Sequence, residues 1–180
     1  MELGLQDQPA IVLAASAGLG YATAHALARE GARVALCSRS LERAQDAARR
    51  IEAETGTAVL AYAADVADAD SLGTFIDAAV RDLGGLKILV CNAGGPPPGN
   101  FSALGEAQWA TAYQLTLMSV VRSITAVLPH LKAGGGGRIL ALLSSSVKRP
   151  LDNLTLSNAL RPAVHGLLKS LSVEFGPENI

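Results

Sequence analysis

Residues 11–24, IVLAASAGLGYATA, decide how the rest of the chain is read. A short apolar run, Ala10 to Ala14, has the length of a buried strand, and an alanine-rich stretch from Tyr21 to Arg29 has helical character. Between them lies a loop of small residues in which Gly18 and Gly20 allow close approach of the backbone to a ligand. A helix that opens there directs its free N–H groups and the positive end of its dipole at the loop, which is the arrangement that binds a diphosphate. Glycine turns between strand and helix also arise from packing alone, so the loop needs a second, independent pointer.

That pointer comes from the pattern of the whole chain. Short apolar runs at residues 10–14, 33–37, 58–63, 87–91 and 138–143 alternate with helical spacing at 41–54, 70–83 and 106–132, and a last helix is expected to run to about Phe175. The strand runs are apolar on both faces, which predicts a parallel sheet covered by helices on both sides and joined by right-handed crossovers. The expected fold is therefore α/β, a doubly wound parallel sheet of Rossmann type with strand order 3-2-1-4-5. In such a sheet the ligand crevice lies where the strand order reverses, between the first and fourth strands. The fourth strand run ends in Asn92-Ala93-Gly94-Gly95, so two separate stretches converge on one crevice.

The bulk properties restrict the alternatives. The chain has 180 residues, 49% hydrophobic and 17% charged, enough for one sizeable core, and no linker-like break suggests a second domain, so residues 1–180 are read as one dinucleotide-binding domain. A net charge of −1 provides no field to gather nucleic acid or an anionic membrane. The start, MELGLQDQP, lacks the layout of a signal peptide and no run approaches the ~20 residues of a membrane span, so a cytoplasmic location is expected. Cys37 and Cys91 fall on strands separated by another strand, too far apart for a disulfide, and are read as reduced core residues. His25, His130 and His165 stand apart in helical stretches, and no metal is expected.

Five stretches carry a resemblance to a known family: LAASAGLG at the first loop, ADV at 64–66, CNAG at 91–94, GRILALLS at 137–144 and AVHGLLKSLSVEFGP at 163–177. In order and spacing they resemble the short-chain dehydrogenase/reductases, in particular the 3-oxoacyl-carrier-protein-reductase-like group. The family's first loop reads T-G-x-x-x-G-x-G. Here Leu13 and Ala14 occupy the places of its Thr and first Gly, so only Gly18 and Gly20 match. The resemblance implies that Ala14, Ser16, Gly18, Leu19 and Gly20 lie along the diphosphate. It also implies that Asp65 and Val66 lie against the adenine, and that Asn92, Ala93 and Gly94 line the ribose and nicotinamide. After the second strand, Ser38 and Arg39 offer donors and a positive charge where a carboxylate would select NAD(H), which favours NADP(H) over NAD(H). The other reading of Arg39 is a solvated residue at a helix start.

The family's catalytic set is a Ser, a Tyr-x-x-x-Lys pair and an Asn on the preceding helix. By resemblance Ser144 takes the Ser position, Ser157 the Tyr position, Arg161 the Lys position and Thr116 the Asn position. Three of the four are changed. A serine hydroxyl is a weaker acid and shorter than a phenol, and an arginine keeps its charge but relays no proton. Ser144, Ser145 and Ser146 also read as an ordinary polar strand end. Pro162 implies either that the last helix starts near Arg161, separating it from Ser157, or that the helix is kinked there.

Two functions are therefore carried forward. One is a short-chain oxidoreductase moving hydride between NADP(H) and a small carbonyl or alcohol, and the other is a non-catalytic dinucleotide-binding or regulatory member of the same fold. The resemblance further implies two more strands after the fifth, and the sequence stops at Ile180, so a C-terminally incomplete domain is expected, or a short form whose edge a partner covers. Trp109, Tyr113, Leu117, Val120, Ile124, Leu128 and Leu131 repeat at helical spacing, and with residues 155–175 they are expected to support self-association about a two-fold axis.

Overall fold

The computed structural model describes residues 3–180, so the first two residues of the amino-terminal stretch lie outside the described residues. Five strands form one parallel sheet: β1 (Pro9–Val12), β2 (Arg33–Ser38), β3 (Val59–Ala63), β4 (Ile88–Cys91) and β5 (Arg138–Ala141), in the order β3-β2-β1-β4-β5. The expected order and the parallel pairing are both found. β1 pairs with β2 on one side (Ile11 opposite Ala35) and with β4 on the other (Ile11 opposite Leu89). This puts the break in strand order between the first loop and the Asn92-Ala93-Gly94 segment. All four residues of β1 and of β4 are buried, as strands covered on both faces require.

The helices α1 (Gly18–Arg29), α2 (Leu41–Thr55), α3 (Ala69–Leu83), α4 (Glu106–Tyr113), α5 (Ser119–Ala133) and α6 (Thr155–Glu174) cover the two faces. On one side α1 and α2 press alanines against β1 and β2: Ala24 and Ala28 from α1, and Ala44 and Ala47 from α2, are buried with Val12, Val34 and Leu36. Small side chains let these helices lie close to the strands. On the other side α3 and α5 supply larger groups, including Leu72, Phe75, Ile76, Ile124 and Leu131, around Ile11 and Leu89. Each such buried side chain contributes about 1.5–3 kcal/mol relative to exposure.

Local signals set the helix ends. Ser40 accepts the Arg43 N–H at 3.3 Å and Asp68 accepts the Ser71 N–H at 2.8 Å, which caps α2 and α3. Gly56 and Gly84 close the same helices in the left-handed conformation, at φ 73° and 69°.

Three boundaries differ from expectation. The first helix starts at Gly18 rather than Tyr21, so both glycines of the loop belong to its first turn. The helix expected over 106–132 is interrupted by a π-helical turn at Gln114–Met118, where one extra residue per turn breaks the spacing of the apolar stripe. As a result Val120, Ile124 and Leu131 are buried against the sheet while Tyr113 is 42% exposed. The last helix begins at Thr155 and runs through Pro162, so a start near Arg161 is not what the chain adopts.

Cys37 and Cys91 are free and buried on β2 and β4, and burial pushes both thiols up to about 12. Among the described residues no helix is long and apolar enough to cross a membrane. Among the described residues β5 pairs only with β4, Leu140 on it is 50% exposed, and the Gly137 N–H just before it donates to Asn179 O at 3.0 Å.

Candidate active site

At the carboxyl ends of the strands lies a cleft made of two adjoining cavities. The larger, about 480 Å³, is bounded by Ala14, Ser16 and Ala17 of the first loop, Ser38, Arg39 and Arg43, then Asp65 and Val66, and Gly94 and Gly95. The second, about 280 Å³, is bounded by Ala14, Ala17 and Leu19 on one side and by Asn92, Ala93, Gly94 and Arg161 on the other. Ala14, Ala17 and Gly94 belong to both, so a single crevice extends from two guanidinium groups, Arg39 and Arg43, to a third, Arg161. Arg43 and Ala17 were not singled out in the sequence. Arg43 stands one helical turn beyond Arg39, at the start of α2, and that position was its only signal.

The two glycines of the first loop do different work. Gly18 has φ +59°, a left-handed conformation favoured by glycine, and nothing lies within 4 Å of where a Cβ would stand. Gly20 needs its missing side chain for packing: a Cβ there would meet Ala14 O at 2.7 Å and Asn92 Nδ2 at 2.6 Å. Gly20 thus brings α1 against the strands, while its backbone stays at the start of that helix. Ala14 sits at φ +47°, a left-handed conformation that costs a non-glycine residue about 1–2 kcal/mol. Asn92 helps hold it there, donating its amide to Ala14 O at 3.0 Å and so linking the ends of β1 and β4.

The first intrahelical bond of α1 is Tyr21 N–H to Ala17 O at 3.3 Å, so the N–H groups of Gly18, Leu19 and Gly20 precede the ladder. On the α2 side Ser16 donates to the buried Ser38 hydroxyl at 3.1 Å. Ser38 keeps its own proton to donate, and Arg39 and Arg43 are exposed beside it. Asp65 is committed locally, since its Oδ1 accepts the Ala67 N–H at 3.0 Å. The donor set of the crevice, with one locally engaged carboxylate, fits an anionic dinucleotide.

At the far end stands Arg161, one of the four expected catalytic positions. Its Nε donates to Ser157 Oγ at 3.1 Å, one turn back on α6, and its Nη1 donates to Leu142 O at 3.2 Å just past β5. Pro162 therefore leaves Ser157 and Arg161 on one helix face. Ser157 Oγ is also 3.3 Å from Ser146 Oγ, and both serines are buried, at 6% and 3% exposure. Ser144 accepts the Ser146 N–H at 3.1 Å, capping the short turn of residues 145–147. Ser146 belongs to this cluster as much as Ser144 does. Three serines in a row hid it, because their order along the chain does not say which one turns inward.

Thr116 lies in the π-helical turn, and its buried hydroxyl has no hydrogen-bond partner among the described residues. With Asn92 and Arg161 it lines a small cavity of about 20 Å³, the size of one water molecule. Burial lowers the pKa of Arg161, yet no carboxylate pairs with it among the described residues.

A doubly wound sheet whose crevice at the order reversal is rich in hydrogen-bond donors defines a nucleotide-binding α/β protein. The short chain dehydrogenase family model matches residues 8–180, and the chain belongs to that family. It is 30% identical over 176 residues to the probable galactose dehydrogenase GalD of Rhizobium meliloti, covering 98% of this chain and 69% of that protein. Among solved structures, L-sorbose reductase from Gluconobacter frateurii, complexed with NADPH and L-sorbose, superposes with a TM-score of 0.96 at 30% identity, over all of this chain and 68% of that one. An NADPH-bound short-chain oxidoreductase of Pseudomonas aeruginosa PAO1, described as containing an atypical catalytic center, superposes with a TM-score of 0.91 at 31% identity, covering 97% of this chain and 68% of that one. Across the curated relatives it matches, the chain spans between 63% and 70% of their length.

Proposed function

We propose that the chain binds NADP(H) in the crevice and serves hydride transfer between it and a small carbonyl or alcohol. The supporting observation is the continuity of the crevice from Arg39 and Arg43 to Arg161, which holds the Ser157 hydroxyl beside that of Ser146, with Ser144 capping the same turn. When bound, the dinucleotide supplies or accepts the hydride. The α1 N–H groups and the loop of Ala14 to Leu19 receive the diphosphate, and Arg39 with Arg43 receives a 2′-phosphate. Arg161 grips the nicotinamide ribose and holds Ser157 by its Nε–H. Ser144 and Ser157 donate hydrogen bonds to the substrate oxygen and orient it. No side chain of this cluster is an acid suited to neutral pH, so the proton comes from water.

Relatives named for sorbose and galactose support a polyhydroxy substrate within this class, and the NADPH-bound neighbours support the choice of dinucleotide. The second reading, a dinucleotide-binding member without turnover, is favoured by one observation, the Ser157–Arg161 pair where the family has Tyr and Lys. Titration of the purified chain with NADPH and NADH, followed by turnover with a panel of ketones, aldehydes and ketoses, tests both. Tighter binding of NADPH with reduction of some carbonyl supports the first reading, binding without turnover supports the second, and binding of neither dinucleotide overturns both. The same proposal includes self-association about a two-fold axis through the outward sides of α4 to α6, where Tyr113 is exposed. A monomer in sedimentation at high concentration overturns that part.

A further inference from the structure

We propose that Asn158 is a positioning residue of this site, joining the loops that follow β4 and β5 into one wall on the substrate side. The inference rests on reading the crevice as a hydride-transfer site. Asn158 directly follows Ser157 and precedes Arg161 by three residues. Its Oδ1 accepts the Leu151 N–H at 3.1 Å, and its Nδ2 donates to Leu151 O at 2.8 Å. The side-chain amide thus satisfies both backbone groups of one loop residue, as a neighbouring strand would. A carboxylate or a methyl at this position cannot make both bonds.

The fixed peptide at Leu151 lies in a loop that leaves the serine cluster at Ser146 and enters α6 at Thr155. Two residues beyond Leu151, Asn153 O accepts the Gly99 N–H at 2.7 Å, and the Thr155 N–H donates to Gly99 O at 3.2 Å. Gly99 belongs to the other loop, which leaves the crevice at Gly95 through Pro96, Pro97 and Pro98. Gly99 is seated on Leu104, since a Cβ there would come within 2.8 Å of Leu104 Cδ2. The two loops therefore make a continuous wall. One end of it is Gly95, which borders the crevice, and the other is Ser146, which touches Ser157. Asn158 pins this wall to the helix that carries Ser157 and Arg161, adding a two-bond side-chain tie to the backbone bond that Thr155 at the start of that helix makes to Gly99. Misplacement of about 1 Å at such a wall is enough to impair productive binding.

The test compares the full chain with its N158A and N158D variants. Amide exchange is followed at Leu151, Gly99 and Thr155, with NADPH titration and steady-state kinetics on a carbonyl from the panel above. In N158A, exchange at the three amides rises about tenfold or more, as loss of two hydrogen bonds requires. NADPH affinity and the dinucleotide KM stay unchanged, while the KM for the carbonyl rises about tenfold. N158D keeps the acceptor for the Leu151 N–H but sets a carboxylate against Leu151 O. It shows the same rise at Gly99 and Thr155, and it carries the test alone should N158A fail to fold. Unchanged exchange at the three amides overturns the proposal, as does an unchanged carbonyl KM or a parallel loss of NADPH affinity. Should the unmodified chain bind no dinucleotide, it is the reading of the crevice that fails, and the exchange data then decide the clamp by themselves.

Discussion

Arg161 donates its Nε–H to Ser157 Oγ at 3.1 Å, and because arginine only donates, the Ser157 proton is left free for Ser146 or for a substrate oxygen. The pair holds and orients without supplying an acid. The unmodified chain is therefore expected to bind the dinucleotide and to reduce simple carbonyls slowly. The double change Ser157→Tyr with Arg161→Lys should recover part of the ~10²–10⁴ that general acid help contributes. Single-turnover rates with and without the double change, at saturating NADPH, check this. Brisk turnover by the unmodified chain would show that another group supplies the proton.

Arg39 and Arg43 flank one end of the larger cavity, and both are exposed, so solvent weakens each contact. Arg39→Ala should lower the preference for NADPH over NADH by about tenfold, and adding Arg43→Ala should lower it further. The ratio of the two dissociation constants is the measurement, repeated at two salt concentrations because screening must reduce the effect. A ratio unchanged in both variants would remove the 2′-phosphate from this place.

Gly18 and Gly20 should respond differently to alanine. Gly18→Ala meets no neighbour and costs only the left-handed backbone conformation, about 1–2 kcal/mol. Gly20→Ala drives a methyl into the Ala14 carbonyl and the Asn92 amide, and overpacking of that kind costs about 1–3 kcal/mol before the Asn92 bond to Ala14 is disturbed. Urea unfolding should place Gly20→Ala as the less stable of the two. The reverse order would show that α1 can move away from the sheet at no cost.

Tyr62 on β3 donates its hydroxyl to Asp82 Oδ2 at 2.7 Å, and burial first, with Asp82 second, pushes the phenol up to about 12. The folded value lies above the ordinary ~10, so the fold favours the protonated form. That contribution is fully present below pH ~10 and is lost as the pH rises through about 12. A tyrosine ring-carbon titration should find Tyr62 protonated beyond the ordinary range, and Asp82→Ala should bring its midpoint down. An unmoved midpoint would leave burial as the whole cause.

Much of the crevice was legible because its signals are local. A strand of four apolar residues, glycines at fixed offsets and the Asn92-Ala93-Gly94 segment each report on a few neighbouring residues, and the alternation of short apolar runs with runs of helical spacing then places them in one sheet. The resemblance extended this to Ser144, Ser157, Arg161 and Thr116; of these Arg161 borders the crevice, Ser157 hydrogen-bonds to it, Thr116 shares a small cavity with it, and Ser144 caps the neighbouring turn. The 3-oxoacyl subgroup is not confirmed in the same way, since the relatives are variously named for galactose, sorbose and hydroxysteroids and the loops after β4 and β5 carry no periodic signal.

By itself the sequence determined the alternation of strands and helices, the order 3-2-1-4-5 that follows from it, and the two strand ends at which a ligand can sit. These depend on hydrophobic period and on backbone freedom, which are properties of short windows. Only the tertiary structure decided that Ser146 turns inward where Ser145 does not, that Gly20 serves packing where Gly18 serves conformation, and that α6 continues through Pro162. It also decided that the Asn158 amide closes on Leu151, seven residues away in the chain. Each of these depends on atoms brought together from different elements, and the free energy of such contacts exists only once the sheet and its helices have assembled.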